Sequence, residues 1–292
     1  MFEALRVKFL PLILAVMMTL GLYSPASIEI NSAPQKSGNA VRVVSFNLRC
    51  KDDIYGSVEN RGKFVCAALE NYLPDSFGVQ EATEKWLGIL DSALGENYAR
   101  VGEPRDKSKN SEYSAVYYRA DKYDLVDSGT IWLSRTPDKS GSKSFLSSMP
   151  RICTWATLGN KENGFVFTHI NTHLDHLLEY TRSRQADVLL GKIEELMKLG
   201  PVACTGDFNT GEKTETYKKL TAVLSDSRLV AKETQSGKTF HNYGKNDLFH
   251  STAIDFIFVS NATEVERYKI MKDTVNGMYL SDHYGIMADI CF

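Results

Sequence analysis

Polar residues that can perform chemistry follow apolar, strand-like segments at six places in the chain. Each segment is rich in β-branched or aromatic residues and ends in, or leads into, an acid, an amide or a histidine. If these segments are neighbouring strands of one sheet edge, their polar ends can converge on a single cleft. The residues concerned are Asn47, Glu81, Asn171 with His173, Asp207 with Asn209, Asp255, and Asp282 with His283.

Taken one at a time, most of these residues have ordinary structural explanations. Asn47 can open a turn, Glu81 can be a solvated surface acid, and a lone histidine such as His283 is usually structural. Asp255 is different because it lies inside the apolar run 253–259. Burying an unpaired carboxylate costs several kcal/mol, so Asp255 needs a partner, and His283 is a candidate.

The elements that must hold these residues alternate along the chain. Apolar runs and period-two patterns predict strands, whereas apolar spacing of 3.6 residues predicts helices. Consecutive strands with single helices between them favour two packed sheets flanked by helices over a doubly wound parallel sheet. Polar loops are expected over 102–112 and 135–150. The predicted helices are 61–73 and 179–199, and the predicted strands are 41–47, 76–80, 114–118, 124–134, 152–158, 165–171, 202–206, 254–259, 265–272 and 285–291.

The first 26 residues are typical of a secretory signal peptide. A basic start is followed by an apolar run over 9–23 and by Ser24 and Ala26, small residues that suit a cleavage site. An uncleaved membrane anchor is the alternative, although the run is short of the about 20 residues that span a bilayer. We therefore expect an exported protein with no stable membrane span after processing, a polar tether over 27–40 and one domain over 41–292.

Composition and charge are those of a soluble globular protein, with 43% hydrophobic and 24% charged residues. Residues 1–26 contain two basic residues and one acid, so the remaining chain has a formal net charge of −3 instead of −2. This balance gives no support to tight, sequence-independent nucleic-acid binding, although a local cleft can still be basic. Five cysteines without a CxxC pair predict neither a disulfide framework nor a zinc–thiolate site, and we expect a monomer.

Taken together, the polar residues form an ordered series that resembles the endonuclease/exonuclease/phosphatase superfamily. The resemblance runs from about residue 42 to 292, so it covers the whole predicted domain. Six motifs in this order are far more specific than any single one. They are Ser45-Phe46-Asn47, Gln80-Glu81, Asn171-Thr172-His173, Gly206-Asp207-Phe208-Asn209, Ile254-Asp255 and Ser281-Asp282-His283.

The resemblance implies an α/β (α+β) four-layered sandwich, in which two mixed β-sheets pack face to face between helices. It also implies a phosphoesterase that depends on Mg²⁺ or Mn²⁺. A hard cation of this kind neutralises the charge of a phosphate ester and prefers oxygen ligands. By the resemblance, Glu81 with Asn47 nearby would hold the metal, and Asp282 would add to its shell.

The resemblance also implies the roles of five catalytic residues. Asp207 would orient or deprotonate the attacking water, while Asn209 and His173 would donate hydrogen bonds to phosphoryl oxygens. Asp255 would hold the imidazole of His283 in one tautomer and raise its basicity. The resemblance leaves open whether Asp207 or His283 is the base.

The substrate side is less well defined. The segments 74–81, 112–119, 128–134, 150–155 and 171–176 are similar to a group of bacterial hydrolases within the superfamily. For Arg151, a phosphate contact and a surface salt bridge are equally good interpretations. The candidate substrate-binding residues are Glu112, Tyr113, Arg151, Asp175 and His176.

Three functions remain open at this point. We favour hydrolysis of a small phosphorylated molecule over a DNA or RNA nuclease, because only a short loop cluster near Arg105 offers a basic stripe. A surface binding module without turnover is the third. It would predict losses among Glu81, Asp207 and His283, and all three residues are present.

Overall fold

The computed structural model describes residues 28–29, 31–52, 56–245, 252–260, 263–275 and 277–292. The helices within these residues are α1 Val58–Tyr72, α2 Glu84–Leu94, α3 Glu179–Leu196, α4 Glu215–Val223 and α5 Ser227–Val230. The strands are β1 Ile28–Glu29, β2 Val41–Asn47, β3 Ser76–Gln80, β4 Tyr98–Val101, β5 Val116–Arg119, β6 Tyr123–Trp132, β7 Ile152–Asn160, β8 Val166–His173, β9 Val202–Asp207, β10 Leu224–Asp226, β11 Asp255–Ser260, β12 Glu264–Met271, β13 Thr274–Val275, β14 Met278–Tyr279 and β15 Gly285–Cys291.

Two mixed sheets of six strands each form the centre of the molecule. The first sheet has the strand order β12-β15-β2-β3-β5-β4, and the second has the order β10-β11-β9-β8-β7-β6. Each contains one parallel pair, β2 with β3 in the first sheet and β8 with β9 in the second. The other pairs in both sheets are antiparallel.

The alternation of side chains along the strands sorts the apolar residues into three core layers. On β2, Val44 and Phe46 pack with residues of α1 and α2 on the outer face of the first sheet. Val43 points the other way and packs between the two sheets. Helix α3 covers the outer face of the second sheet through residues such as Leu189. The predicted four-layered α/β sandwich, with two face-to-face mixed sheets flanked by helices, is therefore confirmed.

Most predicted elements are present with small shifts at their ends. The helix predicted over 61–73 begins earlier, at Val58, because the Ser57 side chain accepts a hydrogen bond from the backbone N–H of Asn60 as an N-cap. The strand predicted over 165–171 continues to His173. Helices α2, α4 and the short α5 were not predicted. Helix α2 carries a helical apolar spacing, whereas α4 buries only three residues, Thr216, Tyr217 and Leu220.

The segment 31–40, which the sequence assigned to a tether, makes side-chain contacts with the domain. Asn31 donates from its backbone and side-chain nitrogens to Asp273 Oδ1 over 2.7 and 3.1 Å, and Lys36 pairs with the buried Asp75. The predicted signal peptide, 1–26, lies outside the described residues. No helix in the described part of the chain combines the length and apolar character needed to cross a bilayer. All five cysteines are free thiols.

Candidate active site

One edge of the sandwich collects the polar residues that the sequence analysis selected. Strands β2, β3, β8 and β9 all end at this edge, because each parallel pair runs in the same direction. The register places His173 directly beside Asp207, at the ends of β8 and β9. Asp255, at the start of the antiparallel strand β11, lies opposite Asp207.

A cleft of about 370 Å³ opens at this edge. Among the sequence candidates, Asn47, Tyr113, Asp175 and Asp255 are not part of its lining. Arg49, Arg105, Phe240 and Asn242 line it although the sequence analysis did not select them as site residues. The candidates that line it are Glu81, Glu112, Arg151, His173, His176, Asp207, Asn209, Asp282 and His283.

Asp255 and His283 form a buried hydrogen-bonded pair below the cleft floor. Asp255 Oδ2 lies 2.9 Å from His283 Nδ1, and His283 Nε2 lies 3.8 Å from Asp207 Oδ2. Burial alone would lower the pKa of His283, but the neighbouring Asp255 and Asp207 outweigh it and raise that pKa to about 10. His283 is therefore protonated at neutral pH in this arrangement, and the buried acid has the partner that its burial requires.

Asp207 accepts hydrogen bonds from two groups and lies close to both histidines of the site. Its oxygens accept hydrogen bonds of 2.9 Å from Asn47 Nδ2 and from the backbone N–H of Asn209, and His173 Nε2 lies 3.4 Å away. Burial and the neighbouring Asp255 raise the pKa of Asp207 to about 7. Burial, with the nearby Arg151, holds the pKa of His173 well below its usual value, so this histidine is neutral.

Glu81 turns its carboxylate into the cleft from a left-handed backbone conformation, with φ 56°. This conformation is uncommon for a residue other than glycine and often marks a functional site. Glu81 Oε2 accepts a hydrogen bond of 2.9 Å from the backbone N–H of Cys50, and Oε1 lies 3.3 Å from Asn47 Nδ2. Burial raises the pKa of Glu81, but the Cys50 hydrogen bond, His283 and Arg49 outweigh it, so the acid stays ionised.

Asn47 bridges acids instead of facing the cleft. Its amide nitrogen points to Asp207 and Glu81, while its Oδ1 accepts a hydrogen bond of 3.1 Å from the backbone N–H of Arg49. Asn47 therefore orients the carboxylates on either side of it.

Arg49 and Asp282 form an ion pair in the lining of the cleft. Arg49 Nη1 lies 3.4 Å from Asp282 Oδ2, and burial raises the pKa of Asp282. Arg49 is held in a left-handed conformation, with φ 60°, and its carbonyl oxygen accepts hydrogen bonds from Trp86 Nε1 and Arg61 Nη2. Its position two residues after the strand-end Asn47 was the signal that could have identified it.

Two further arginines, Arg105 and Arg151, line the cleft. Arg105 Nη1 forms an ion pair of 2.7 Å with Glu112 Oε2, and burial raises the pKa of Glu112. Arg151 is almost fully buried, and its Nη2 lies 3.2 Å from Nδ1 of the exposed His176. Burial and Arg105 lower the pKa of Arg151, and burial and Arg151 lower that of His176.

Tyr113 and Asp175 serve the structure around the cleft. The ring of Tyr113 packs in the core beneath α1 and α2 and borders a smaller adjoining cavity. The hydroxyl group of Tyr113 donates a hydrogen bond to Glu84. Asp175 is buried and accepts hydrogen bonds from the backbone N–H groups of Leu177 and Leu178. These contacts hold the turn that precedes α3 and places His176 at the cleft.

Two groups of side chains are candidates for holding a cation. Ligand atoms of Asp207, Asp255 and His283 lie within 4.8 Å of one another, but His283 already neutralises these acids through its contact with Asp255. The second group is Glu81 and Asp282, and the guanidinium of Arg49 is attracted to both acids. An oxygen-only pair of acids that attracts a positive charge in an open cleft fits a hard cation such as Mg²⁺ or Mn²⁺. We regard the second group as the better metal site.

The chain was compared with known families and proteins. The model of the family described as "Endonuclease/Exonuclease/phosphatase family" matches residues 44–283. None of the curated proteins compared with the chain matches it.

Several solved structures are similar over most of the chain. An endonuclease/exonuclease/phosphatase from Bacteroides vulgatus is 32% identical with a TM-score of 0.81, covering 86% of this chain and 98% of its own. The mannosyl-6-phosphatase Bt3783 of Bacteroides thetaiotaomicron is 32% identical with a TM-score of 0.79, covering 86% of this chain and 100% of its own. The human Nocturnin catalytic domain, 19% identical with a TM-score of 0.67 and covering 91% and 96%, shares the fold.

Proposed function

Because the chain belongs to the endonuclease/exonuclease/phosphatase family, whose members hydrolyse phosphoester bonds, we propose that it is a metal-dependent phosphatase of a small phosphorylated molecule. The observation that carries this proposal is the convergence of Asp207, His173, His283 and Glu81 on one cleft. Glu81, Asp207 and His283, among which a binding module would be expected to show losses, all line this cleft, which argues against a binding module without turnover.

In this proposal Asp207 takes the proton of the attacking water. Its raised pKa suits a general base that works near neutral pH. The protonated His283 and the neutral His173 flank Asp207 and donate hydrogen bonds to phosphoryl oxygens as negative charge develops there. Asp255 keeps the proton on His283, which leaves Asp207 as the base.

Asn209 supplies a further donor at the cleft. One N–H of its amide donates to the carbonyl oxygen of Leu174 over 3.1 Å, and the second N–H is available to a phosphoryl oxygen. Glu81 and Asp282 would hold Mg²⁺ or Mn²⁺, with Asn47 orienting Glu81. The metal, when bound, would neutralise phosphate charge and activate the water.

The substrate is best assigned to the class of sugar phosphates, so that the sugar leaves as the free alcohol when the P–O bond breaks. The cleft is much larger than a phosphate group, and its far side offers the Arg105–Glu112 ion pair and His176, polar groups that suit hydroxyl groups. The 32% identity to a mannosyl-6-phosphatase over 86% of the chain supports this class.

A panel of phosphoesters tests the proposal. We expect hydrolysis of hexose 6-phosphates with Mg²⁺ or Mn²⁺, loss of that activity in EDTA, and its return when the metal is restored. Glu81→Gln should lower kcat/KM by orders of magnitude, whereas Glu96→Gln, an exposed acid outside the cleft, should not. The panel also contains sphingomyelin, plasmid DNA and single-stranded RNA. Activity that survives chelation would contradict the metal requirement, and hydrolysis confined to DNA or RNA would replace the phosphatase with a nuclease.

A further inference from the structure

Three arginines line the cleft, and two of them face a carboxylate. Arg49 lies 3.4 Å from Asp282, and Arg105 lies 2.7 Å from Glu112. Arg151 has no carboxylate within 4.0 Å among the residues that the structure describes. Arg151 is therefore the one of these three arginines that forms no direct ion pair in the described part of the chain. Glu112, Asp207 and Asp175 raise its pKa from farther away, but burial and Arg105 outweigh them, so that the pKa stays lowered.

Arg151 is also buried, which makes this lack of a partner costly. Its exposed fraction is 4%, and within the described part of the chain its Nε has no hydrogen-bond partner. The side-chain contact that Nη2 makes is with His176 Nδ1, and an imidazole is neutral or positively charged, so His176 brings no negative charge. A buried cation without a direct ion-pair partner is expected where an anionic ligand supplies one.

The position of Arg151 shows which part of a ligand it can reach. Arg151 borders both the main cleft and a narrow adjoining recess, and it shares both with His173 and Glu81. Arg151 is thus a neighbour of the groups that hold the scissile phosphate in the proposed function. Arg105 and Glu112 border the same recess.

We propose that Arg151 is the residue that makes the site selective for phosphomonoesters over phosphodiesters. This inference rests on the proposed phosphatase function. A terminal phosphate carries close to two negative charges at neutral pH, because its second pKa is about 6, whereas a diester carries one. One guanidinium without a direct ion-pair partner beside the phosphate site matches the second charge of the monoester, and its planar fork can bind two phosphate oxygens.

The test compares Arg151→Met with wild type on p-nitrophenyl phosphate and on bis(p-nitrophenyl) phosphate. Loss of one charge-assisted contact should lower kcat/KM for the monoester by about 10- to 100-fold, and that for the diester by no more than about 3-fold. Arg151→Lys keeps the charge without the fork and should recover part of the monoester preference. Arg100→Met, which removes an arginine paired with Asp91 outside the cleft, should leave both substrates unchanged. Because methionine suits a buried position, Arg151→Met should keep the melting temperature of wild type.

Two outcomes would overturn the inference. An equal loss on both esters would mean that Arg151 acts on a feature that monoesters and diesters share. A loss seen with a hexose 1,6-bisphosphate but not with a hexose 6-phosphate would mean that Arg151 binds a second anionic substituent. Binding of inorganic phosphate, measured by calorimetry, needs no turnover and should weaken in Arg151→Met. If wild type hydrolyses neither nitrophenyl ester nor any hexose 6-phosphate, the proposed function fails, while the calorimetric comparison still decides whether Arg151 binds phosphate.

Discussion

Two histidines of the same cleft have opposite charge states, because their neighbours differ. His283 lies between Asp255 and Asp207, and these acids raise its pKa to about 10. His173 lies close to Arg151 and is fully buried, so its pKa falls well below the usual range. Titratable groups whose pKa values are driven apart mark the division of labour at an active site. In the proposed mechanism, both histidines donate hydrogen bonds and Asp207 accepts the proton.

Asp255→Asn tests this division, because it preserves the shape of the side chain and removes its charge. The amide no longer stabilises the imidazolium form of His283, so we expect kcat to fall by roughly 10²- to 10⁴-fold. The measurement is the kcat for a hexose 6-phosphate under saturating conditions. Asp226→Asn is the matched control, since Asp226 is also buried but bonds to Tyr217 and Arg228 away from the cleft. Equal losses in the two variants would show that the effect of Asp255 is structural.

At the scale of single elements, the residues of β3 alternate between two environments, one on each face of the strand. Phe77 and Val79 face the helices of the first sheet, whereas Ser76, Gly78 and Gln80 face the second sheet. A Cβ atom at Gly78 would lie 2.5 Å from both Asn171 Cγ and Thr205 Oγ1. The glycine is therefore required by the close approach of the two sheets, and Glu81 follows it at the end of the same strand.

Gly78→Ala should consequently destabilise the protein. The added methyl group must displace buried side chains of the second sheet, and overpacking of this kind costs about 1–3 kcal/mol. Urea denaturation at equilibrium measures the change in the free energy of unfolding. Gly191→Ala in α3 is the control, because open space surrounds that position and alanine favours a helix, so it should stabilise by about 0.5–1 kcal/mol. If Gly78→Ala were as stable as wild type, the inference that the close approach of the two sheets requires a glycine at this position would be wrong.

For the whole molecule, the interface between the two sheets contains a fully buried histidine. His169 Nδ1 lies 2.6 Å from Ser76 Oγ of the first sheet, and His169 Nε2 lies 2.8 Å from Thr205 Oγ1 of the second. Burial without a nearby acid lowers the pKa of His169 to about 3. The packing of the sheets therefore depends on this histidine remaining neutral.

This dependence predicts acid sensitivity with a defined direction. The pKa of His169 is lower in the folded state than the about 6.5 expected when unfolded, so below about pH 6.5 the unfolded chain binds a proton that the folded protein rejects. The contribution to stability is complete above pH 6.5 and is lost as the pH falls towards 3, at about 1.4 kcal/mol per pH unit. Urea denaturation at pH 7.5 and 5.5 should show a larger loss for wild type than for His169→Gln. Other titrating groups contribute equally to the change in wild type and in His169→Gln. Identical losses of unfolding free energy in the two proteins would therefore contradict the assignment to His169.

The sequence by itself determined the family, the layered α/β architecture and the edge at which the site lies. It did so because local patterns define where strands end, and parallel neighbours bring those ends to the same edge. The pairing of Asp255 with His283 was also predictable, since a carboxylate inside an apolar strand must have a partner. Helix α2 was missed although Trp86, Leu87, Leu90 and Leu94 have helical spacing.

Only the tertiary structure decided which side chains face the cleft and which of its arginines form ion pairs. Glu81, Arg49 and Asn209 enter or border the cleft from left-handed conformations that no hydrophobic pattern reports. Tyr113 and Asp175 turn away from it because Glu84 and the 177–178 backbone bind them. Whether a carboxylate of the described residues lies within 4.0 Å of Arg151 depends on contacts between segments far apart in sequence, and those distances exist only once the two sheets are packed together.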